Sequence, residues 1–430
     1  FLESLSLSTV VVGMLLLKTN DPFYALLLSV CLYSDILFSI WFIDVSWIRR
    51  SSVVVGPFLV NLCSESDDLC ILLLCIGCYI LFLQSFVLPH IRSVFSISEV
   101  VLYWKWLLVL TALLLNSQTC LSTRVAVAVF LMSVSLTALV LANYFLFPTR
   151  IPPSVIYAFI AAGAATEIAA LSHLVHRPFI SWFIDWIFYP EKETDFSLRR
   201  VLTLVYWFAC LFLALTPWAM NALKKYPVIV QRKYFHYLCV ILFLPCFLRD
   251  PDFMEFALFP TLMNRVAFAF ALLVFLLMEI ARLTALPPFQ GLDGFMKQYV
   301  DDRDSGPLII THFSLLLGCA LPLWVNRSGE TWSAMAGVIM LGVGDATAAI
   351  VGKEWGRHRF SNGRSLEGSL GFTGSSIIFC VVVGWWKGQR ITPCHVNAVA
   401  LAAVMEAVGE ELDNYVLPMY FATVFSFLSF

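Results

Sequence analysis

The chain has 430 residues, of which 60% are hydrophobic and 13% charged, with a formal net charge of −2 and a mean hydropathy of +0.85. Soluble domains carry roughly 25% charged residues. A chain this apolar cannot cover its own surface in water, and its near-zero charge balance leaves no basic field to attract nucleic acid.

Apolar runs fall near 4–18, 23–44, 69–89, 100–116, 125–147, 153–175, 200–219, 230–249, 260–283, 307–325, 332–352, 367–387, 394–409 and 415–430. Each is near the roughly 20 residues that cross about 30 Å of hydrocarbon as a helix, so the chain reads as all-α, a polytopic membrane bundle of about 14 transmembrane helices. The strand alternation of a membrane barrel is absent. A short run at 53–62 reads as a further partial span. Twelve cysteines lie mostly inside the apolar runs. Cys70, Cys75 and Cys78 have roughly the spacing of metal ligands, but small buried residues on a membrane helix are the expected reading. Because Phe1 opens the sequence in place of a methionine, a preceding stretch is expected.

Residues 1–225 form an N-terminal region of spans, read as scaffold or lipid-side, with little chemistry. Ser96-Ile97-Ser98-Glu99 is a capping box that starts a helix. Glu167 stands alone in an alanine-rich run, where a helix–helix hydrogen bond is its expected role. Residues 178–199 mix aromatics with charges and read as interfacial.

Residues 226–430 differ, because charged residues gather in compact groups at the ends of spans. Gln231-Arg232-Lys233-Tyr234-Phe235-His236 opens the run at 230–249, and Asp301-Asp302-Arg303-Asp304-Ser305-Gly306-Pro307 opens the run at 307–325. Glu410-Glu411-Leu412-Asp413-Asn414 closes the run at 394–409. Between them, Asp345 lies among small residues inside the 332–352 run. A glycine-punctuated basic loop follows, with Lys353, Arg357, His358, Arg359 and Arg364. Counting crossings places all four groups on one membrane face, and the positive-inside rule makes that face cytoplasmic.

Asp345, Ala348, Gly352 and Gly356 are spaced by 3, 4 and 4, which on a continued helix makes one small-residue stripe. Asp345 precedes Gly352 by about 10 Å of helix rise, just below the membrane surface. An acid at that depth is costly and points to a polar site. The loop 353–366 holds four basic residues and one acid, a net +3. Gly352, Gly356, Gly363 and Gly368 are expected to free its backbone to wrap an anion. Ser365 and Glu367 stand where the next helix begins, and helix N-termini attract phosphate. Arg232, Lys233 and His236 read as a further phosphate clamp, and the acids at 301–304 as oxygen ligands for Mg²⁺ or as a general base. Glu367 is expected to orient Arg364, bond a ribose or base, or help hold the metal. No GxxxxGK[ST] loop, kinase Gly-rich loop with HRD, GxSxG elbow or HExxH is present. Phosphoryl transfer by positioning and charge neutralisation fits this residue set.

At these residues the chain resembles the dolichol kinases. The matching pieces are RKYFH at 232–236, VDDRDSGPLIITH at 300–312, LPLW at 321–324, GVGDATAAIVG at 342–352, SLEGS at 365–369 and EELDNYVLPMY at 410–420. The D-x-x-A-x-x-x-G-x-x-x-G stretch with a following basic-[ST]-x-E-G element is also similar to phytol kinases and phosphatidate cytidylyltransferases. The resemblance implies transfer of the γ-phosphate of CTP to dolichol, giving dolichyl phosphate and CDP, with Mg²⁺ or another divalent cation. It implies a multi-pass protein of the endoplasmic reticulum membrane acting in protein glycosylation. The family's CTP-binding segment maps onto Lys353 to Glu367, taking in Gly356, Arg357, Arg359, Arg364 and Ser365, with Gly368 beyond it. Where the family has two adjacent lysines before T-x-E-G, this chain has Gly363 and Arg364, then Ser365. In the implied mechanism Lys353, Arg359 and Arg364 hold the CTP phosphates, and Asp345 with Asp304 or Asp301 holds the metal. Asp304 takes the proton of the dolichol hydroxyl, a role Asp345 can exchange with it. The alternatives are a CTP-dependent cytidylyltransferase acting on a lipid phosphate, a kinase for another prenol, and a transporter. Polarity confined to one face counts against transport. Oligomeric state has no readable signal.

Overall fold

The structure, a computed structural model, describes residues 119–146, 152–188, 194–248, 259–299, 308–309, 311–326, 330–409 and 413–429, with part of a helix at 106–114. The expected spans before residue 100, the run at 53–62, Cys70, Cys75, Cys78 and the capping box at Ser96 lie outside the described residues. So do Asp301 to Pro307 and Glu410 to Leu412.

Among the described residues the fold is all-α. The helices are α1 (Leu121–Leu146), α2 (Pro153–Val175), α3 (Phe179–Phe188), α4 (Thr194–Ala214), α5 (Pro217–Leu223), α6 (Val228–Leu248) and α7 (Phe259–Leu283). There follow α8 (Leu292–Met296), α9 (Thr311–Val325), α10 (Thr331–Ala334), a π-helix (Val338–Asp345), α11 (Ala346–Glu354), α12 (Leu366–Trp386), α13 (Pro393–Val408) and α14 (Asp413–Leu428). Among the described residues five helices are long and apolar enough to cross a membrane, at Leu121–Ala138, Pro153–Val175, Val228–Leu248, Asn264–Leu283 and Leu366–Trp386. This is a multi-pass membrane protein.

Local sequence explains most boundaries. Pro153 opens α2, and His176 closes it in the left-handed conformation. The apolar run at 200–219 does not stay one helix. Thr216 accepts the Ala219 N–H and Pro217 occupies the first turn of α5, so a new short helix starts where the span was expected to finish. The run at 332–352 is also broken. It becomes the short α10, the π-helix and α11, and α11 ends at Glu354, so Gly356 lies beyond the helical stripe expected of it.

The π-helix is the hub, packed against α6, α9, α12 and α14. Val338, Ile339, Met340, Leu341, Gly342 and Gly344 are buried. A β-carbon on Gly344 would come within 2.8 Å of Phe372 and of the Ser376 hydroxyl, so glycine is what lets α12 approach. Close approach matters here because lipid supplies no hydrophobic force between helices, leaving dispersion and polar contacts to join them.

Side-chain contacts fix which helix ends lie together. At one end Lys233 of α6 meets Asp345, Phe235 packs on Tyr299 and His312, Asn414 of α14 bonds Ser314 of α9, and Arg364 meets Glu406 at the end of α13. At the other end Arg265 of α7 reaches Thr123 and the Asn326 carbonyl, Lys387 of α12 reaches Thr331, and Glu330 bonds Ser333. Of the polar groups that the sequence pattern singled out, the members the structure describes, Lys233, His236, Asp345, Arg364 and Asn414, therefore share one end of the bundle. The outward face of α12 carries exposed Leu366, Leu370, Ile378, Val382 and Trp385, an apolar stripe facing away from the core. Phe208 and Phe212 on α4 are exposed in the same way.

Candidate active site

Asp345 is the last residue of the π-helix and leads directly into α11. Short π segments widen a helix by one residue and recur at functional sites. Here the segment brings the Asp345 carboxylate to α6, where Lys233, His236 and Tyr237 lie three and four positions apart on one face. Lys233 Nζ donates to Asp345 Oδ2 at 2.5 Å, with each side chain only 14% exposed. His236 Nδ1 is 3.4 Å from the same oxygen and 3.0 Å from the Leu341 carbonyl. A carbonyl only accepts, so that bond puts a proton on Nδ1. Tyr237 Oη and Thr347 Oγ1 are 3.2 Å apart and extend the polar seam by one turn.

The basic loop is a small hairpin. Phe360 N donates to Arg364 O at 2.8 Å, Gly363 N to Phe360 O at 3.0 Å and Leu366 N to His358 O at 2.9 Å. Gly363 has φ +82, the left-handed turn that favours glycine. The other glycines serve packing more than wrapping. A β-carbon on Gly352 or Gly356 would meet the Ser365 hydroxyl at 2.9 and 2.7 Å, so α11 and the start of α12 close around Ser365. Ser365 is buried and caps α12 by accepting the Gly368 N–H at 3.1 Å.

Glu367 is committed to the loop itself. Its carboxylate accepts the Arg357 N–H at 3.1 Å and the His358 N–H at 3.2 Å, and His358 Nδ1 lies 2.7 Å away. Those bonds hold exposed Arg357 and His358 at the mouth of the loop. Arg359 Nη1 donates to the Gly363 carbonyl at 2.9 Å, and Lys353 is exposed at the end of α11.

Arg364 turns inward, to an acid that the sequence pattern did not single out. Its Nη1 donates to Glu406 Oε1 at 2.5 Å and to the Glu406 carbonyl. Arg364 also lies close enough to Asp345 to act on its carboxylate electrostatically. The inner group thus joins Lys233, His236, Asp345 and Arg364. Lys353, Arg357 and Arg359 form an outer rim, and Arg232 is half-buried at the start of α6. Asp301 and Asp304 lie outside the described residues, as do Glu410 and Glu411; nothing is described of the Asp413 side chain. Asn414 bridges α14 to α9 through Ser314 at 2.7 Å.

A second charge network stands beside the site. Arg282 forks onto the Glu279 carboxylate at 2.8 and 2.7 Å and reaches Asp293 at 2.8 Å, while Lys297 reaches Asp293 at 2.7 Å. These two cations hold the Asp293 carboxyl below the usual carboxylate range. Glu279 also accepts the Ile309 N–H at 2.8 Å, which ties the start of α9 to the end of α7.

Among the described residues no group of three or more His, Cys, Asp or Glu stands ready for a metal. The donor chemistry suits a hard cation bound the way Mg²⁺ commonly is, with one or two carboxylates, water and substrate phosphates. Asp345 is the carboxylate at the centre of the polar end.

Fold and site together define a multi-pass helical membrane protein with a polar site at one end of its bundle. Over nearly 60% of its length the chain is similar to proteins named dolichol kinase. It is 33% identical to dolichol kinase sec59 of Schizosaccharomyces pombe over 283 residues, covering 59% of this chain and 53% of that protein. It is 31% identical to dolichol kinase EVAN of Arabidopsis thaliana over 264 residues (57% and 42%) and 28% identical to the human dolichol kinase over 274 residues (58% and 48%). The chain spans about half the length of the curated relatives it matches. No family model matches it, and no solved structure matches it.

Proposed function

We propose that the protein is a CTP-dependent dolichol kinase, transferring the γ-phosphate of CTP to the hydroxyl of dolichol to give dolichyl phosphate and CDP. The observation that carries this reading is the inner group of Asp345, Lys233, His236 and Arg364 at the end of the bundle that also bears the basic hairpin. The similarity to fungal, plant and mammalian proteins named dolichol kinase supports it. Residues 226–430 act as the catalytic unit and residues 1–225 as the scaffold and lipid side.

Phosphoryl transfer needs little covalent help from protein and much positioning and charge neutralisation. Lys353, Arg357 and Arg359 on the rim attract the triphosphate, and Arg364 grips it deeper. Lys233 serves the phosphates once the nucleotide competes for its ammonium. Asp345 would hold the Mg²⁺ that accompanies the nucleotide, with Asp301 and Asp304 as further oxygen donors, and the ion would supply charge neutralisation on the transferring phosphate. Asp304 takes the proton of the attacking hydroxyl. Ser365, Gly356 and Gly368 shape the floor under the hairpin. The lipid alcohol arrives laterally from the bilayer and the nucleotide from the cytosol, at the cytoplasmic face of the endoplasmic reticulum membrane.

The test is product analysis with purified protein, dolichol and CTP labelled at either phosphate. Label from the γ-position in the lipid, with CDP released, is the expected outcome. Label from the α-position in the lipid, with pyrophosphate released, would establish a cytidylyltransferase in its place.

A further inference from the structure

We propose that Glu406 is the positioning residue for Arg364, setting where its guanidinium meets the nucleotide phosphates. The inference rests on the phosphate-binding role given to Arg364 above. Glu406 sits near the end of α13, inside an alanine-rich turn, and only 6% of it is exposed. An acid that deep is costly unless paired. It is paired with one side chain of the hairpin twice over, because Arg364 Nη1 donates to both its carboxylate and its carbonyl. The second carboxylate oxygen takes a long bond, 3.4 Å, from Ser369 in the first turn of α12.

The neighbouring backbone completes the anchorage. Asn362, on the other side of the Gly363 turn, donates to the Ala407 carbonyl at 2.8 Å. Its own side-chain oxygen accepts the Arg364 N–H at 3.2 Å. The end of α13 therefore grips both flanks of the turn, and among the described residues Glu406 is its charged member. A guanidinium on a long flexible stem loses much rotamer freedom when it binds phosphate; a fixed carboxylate removes that loss beforehand. It also offsets one positive charge, which keeps Arg364 from closing permanently on Asp345 before nucleotide arrives.

The experiment compares full-length wild type, Glu406→Ala, Glu406→Gln, Arg364→Ala and the double variant Arg364→Ala/Glu406→Ala, measuring KM for CTP, kcat and the thermal midpoint. Glu406→Ala is expected to raise the CTP KM on the order of tenfold with a smaller change in kcat, the signature of a misplaced charged contact. Glu406→Gln keeps an accepting oxygen and the side-chain shape, so it folds and shows a smaller rise. In the Arg364→Ala background, removing Glu406 adds less than about twofold, because the two act as one unit. The inference is overturned if Glu406→Ala multiplies the KM equally in both backgrounds, or if both Glu406 variants lower the thermal midpoint with the KM unmoved. Arg364→Ala with a wild-type CTP KM would overturn the nucleotide site itself, and this inference with it.

Discussion

Lys233 and Asp345 are 112 positions apart in the chain, yet the Lys233 ammonium rests 2.5 Å from the Asp345 carboxylate, both largely hidden from solvent. The contact joins the first turns of α6 to the end of the π-helix. It pairs a largely buried acid with a cation that phosphate can also claim. Removing one member of such a pair leaves an uncompensated charge in a poor solvent for it.

Replacing Asp345 with Asn keeps the shape and removes the charge. Turnover should fall by several kcal/mol of barrier, on the order of a thousandfold, with the helical content retained and a lower thermal midpoint, because Lys233 is left facing an amide. Near-wild-type turnover would take Asp345 out of the chemistry.

Gly356→Ala and Gly374→Ala should differ in sign. A β-carbon at 356 meets the Gly352 carbonyl and Ser365, whereas one at 374 meets nothing within 4 Å. The first should destabilise by about 1–3 kcal/mol through overpacking. The second should be neutral or stabilise by up to about 1 kcal/mol through helix propensity. Thermal unfolding in detergent with a thiol-reactive reporter of buried cysteines measures both, and equal effects would refute the close packing of α11 on α12.

Glu279→Ala should take from buried Arg282 the carboxylate it forks onto and should release the Ile309 N–H. A loss of about 3–5 kcal/mol in stability is expected. Limited proteolysis should then cut between 284 and 309 faster than in wild type; an unchanged cleavage rate would show that the network does not tether this stretch.

Glu367→Gln should raise the CTP concentration needed for half-maximal rate several-fold with kcat less affected. The amide still accepts one of the two backbone N–H groups but loses the charge that faces His358. A drop in kcat alone would place Glu367 at the reacting atoms in place of the loop.

Much of the fold is legible in hydropathy. The runs at 153–175 and 367–387 coincide with α2 and α12 to within a residue, because proline and serine caps mark their starts. Crossing counts also put Lys233, Asp345 and Arg364 at the same end, since parity depends on the number of spans and not on their exact limits. The π-helix was not legible: GVGD reads as any small-residue helix, and only packing against α6 and α12 selects the wider winding. Glu406 was missed for a related reason. A single acid among alanines has no local signature, and its meaning comes from Arg364, which a left-handed turn delivers from 42 positions away. Glu279 and Arg282 form an ordinary i,i+3 pair until Ile309 and Asp293 arrive from further along the chain.

The oily outer stripe of α12, running from Leu366 down to Trp385, begins at the same turn as the hairpin. On the function proposed above, a long isoprenoid tail would stay dissolved among acyl chains along that stripe while its alcohol end alone is presented to the cation-rich mouth.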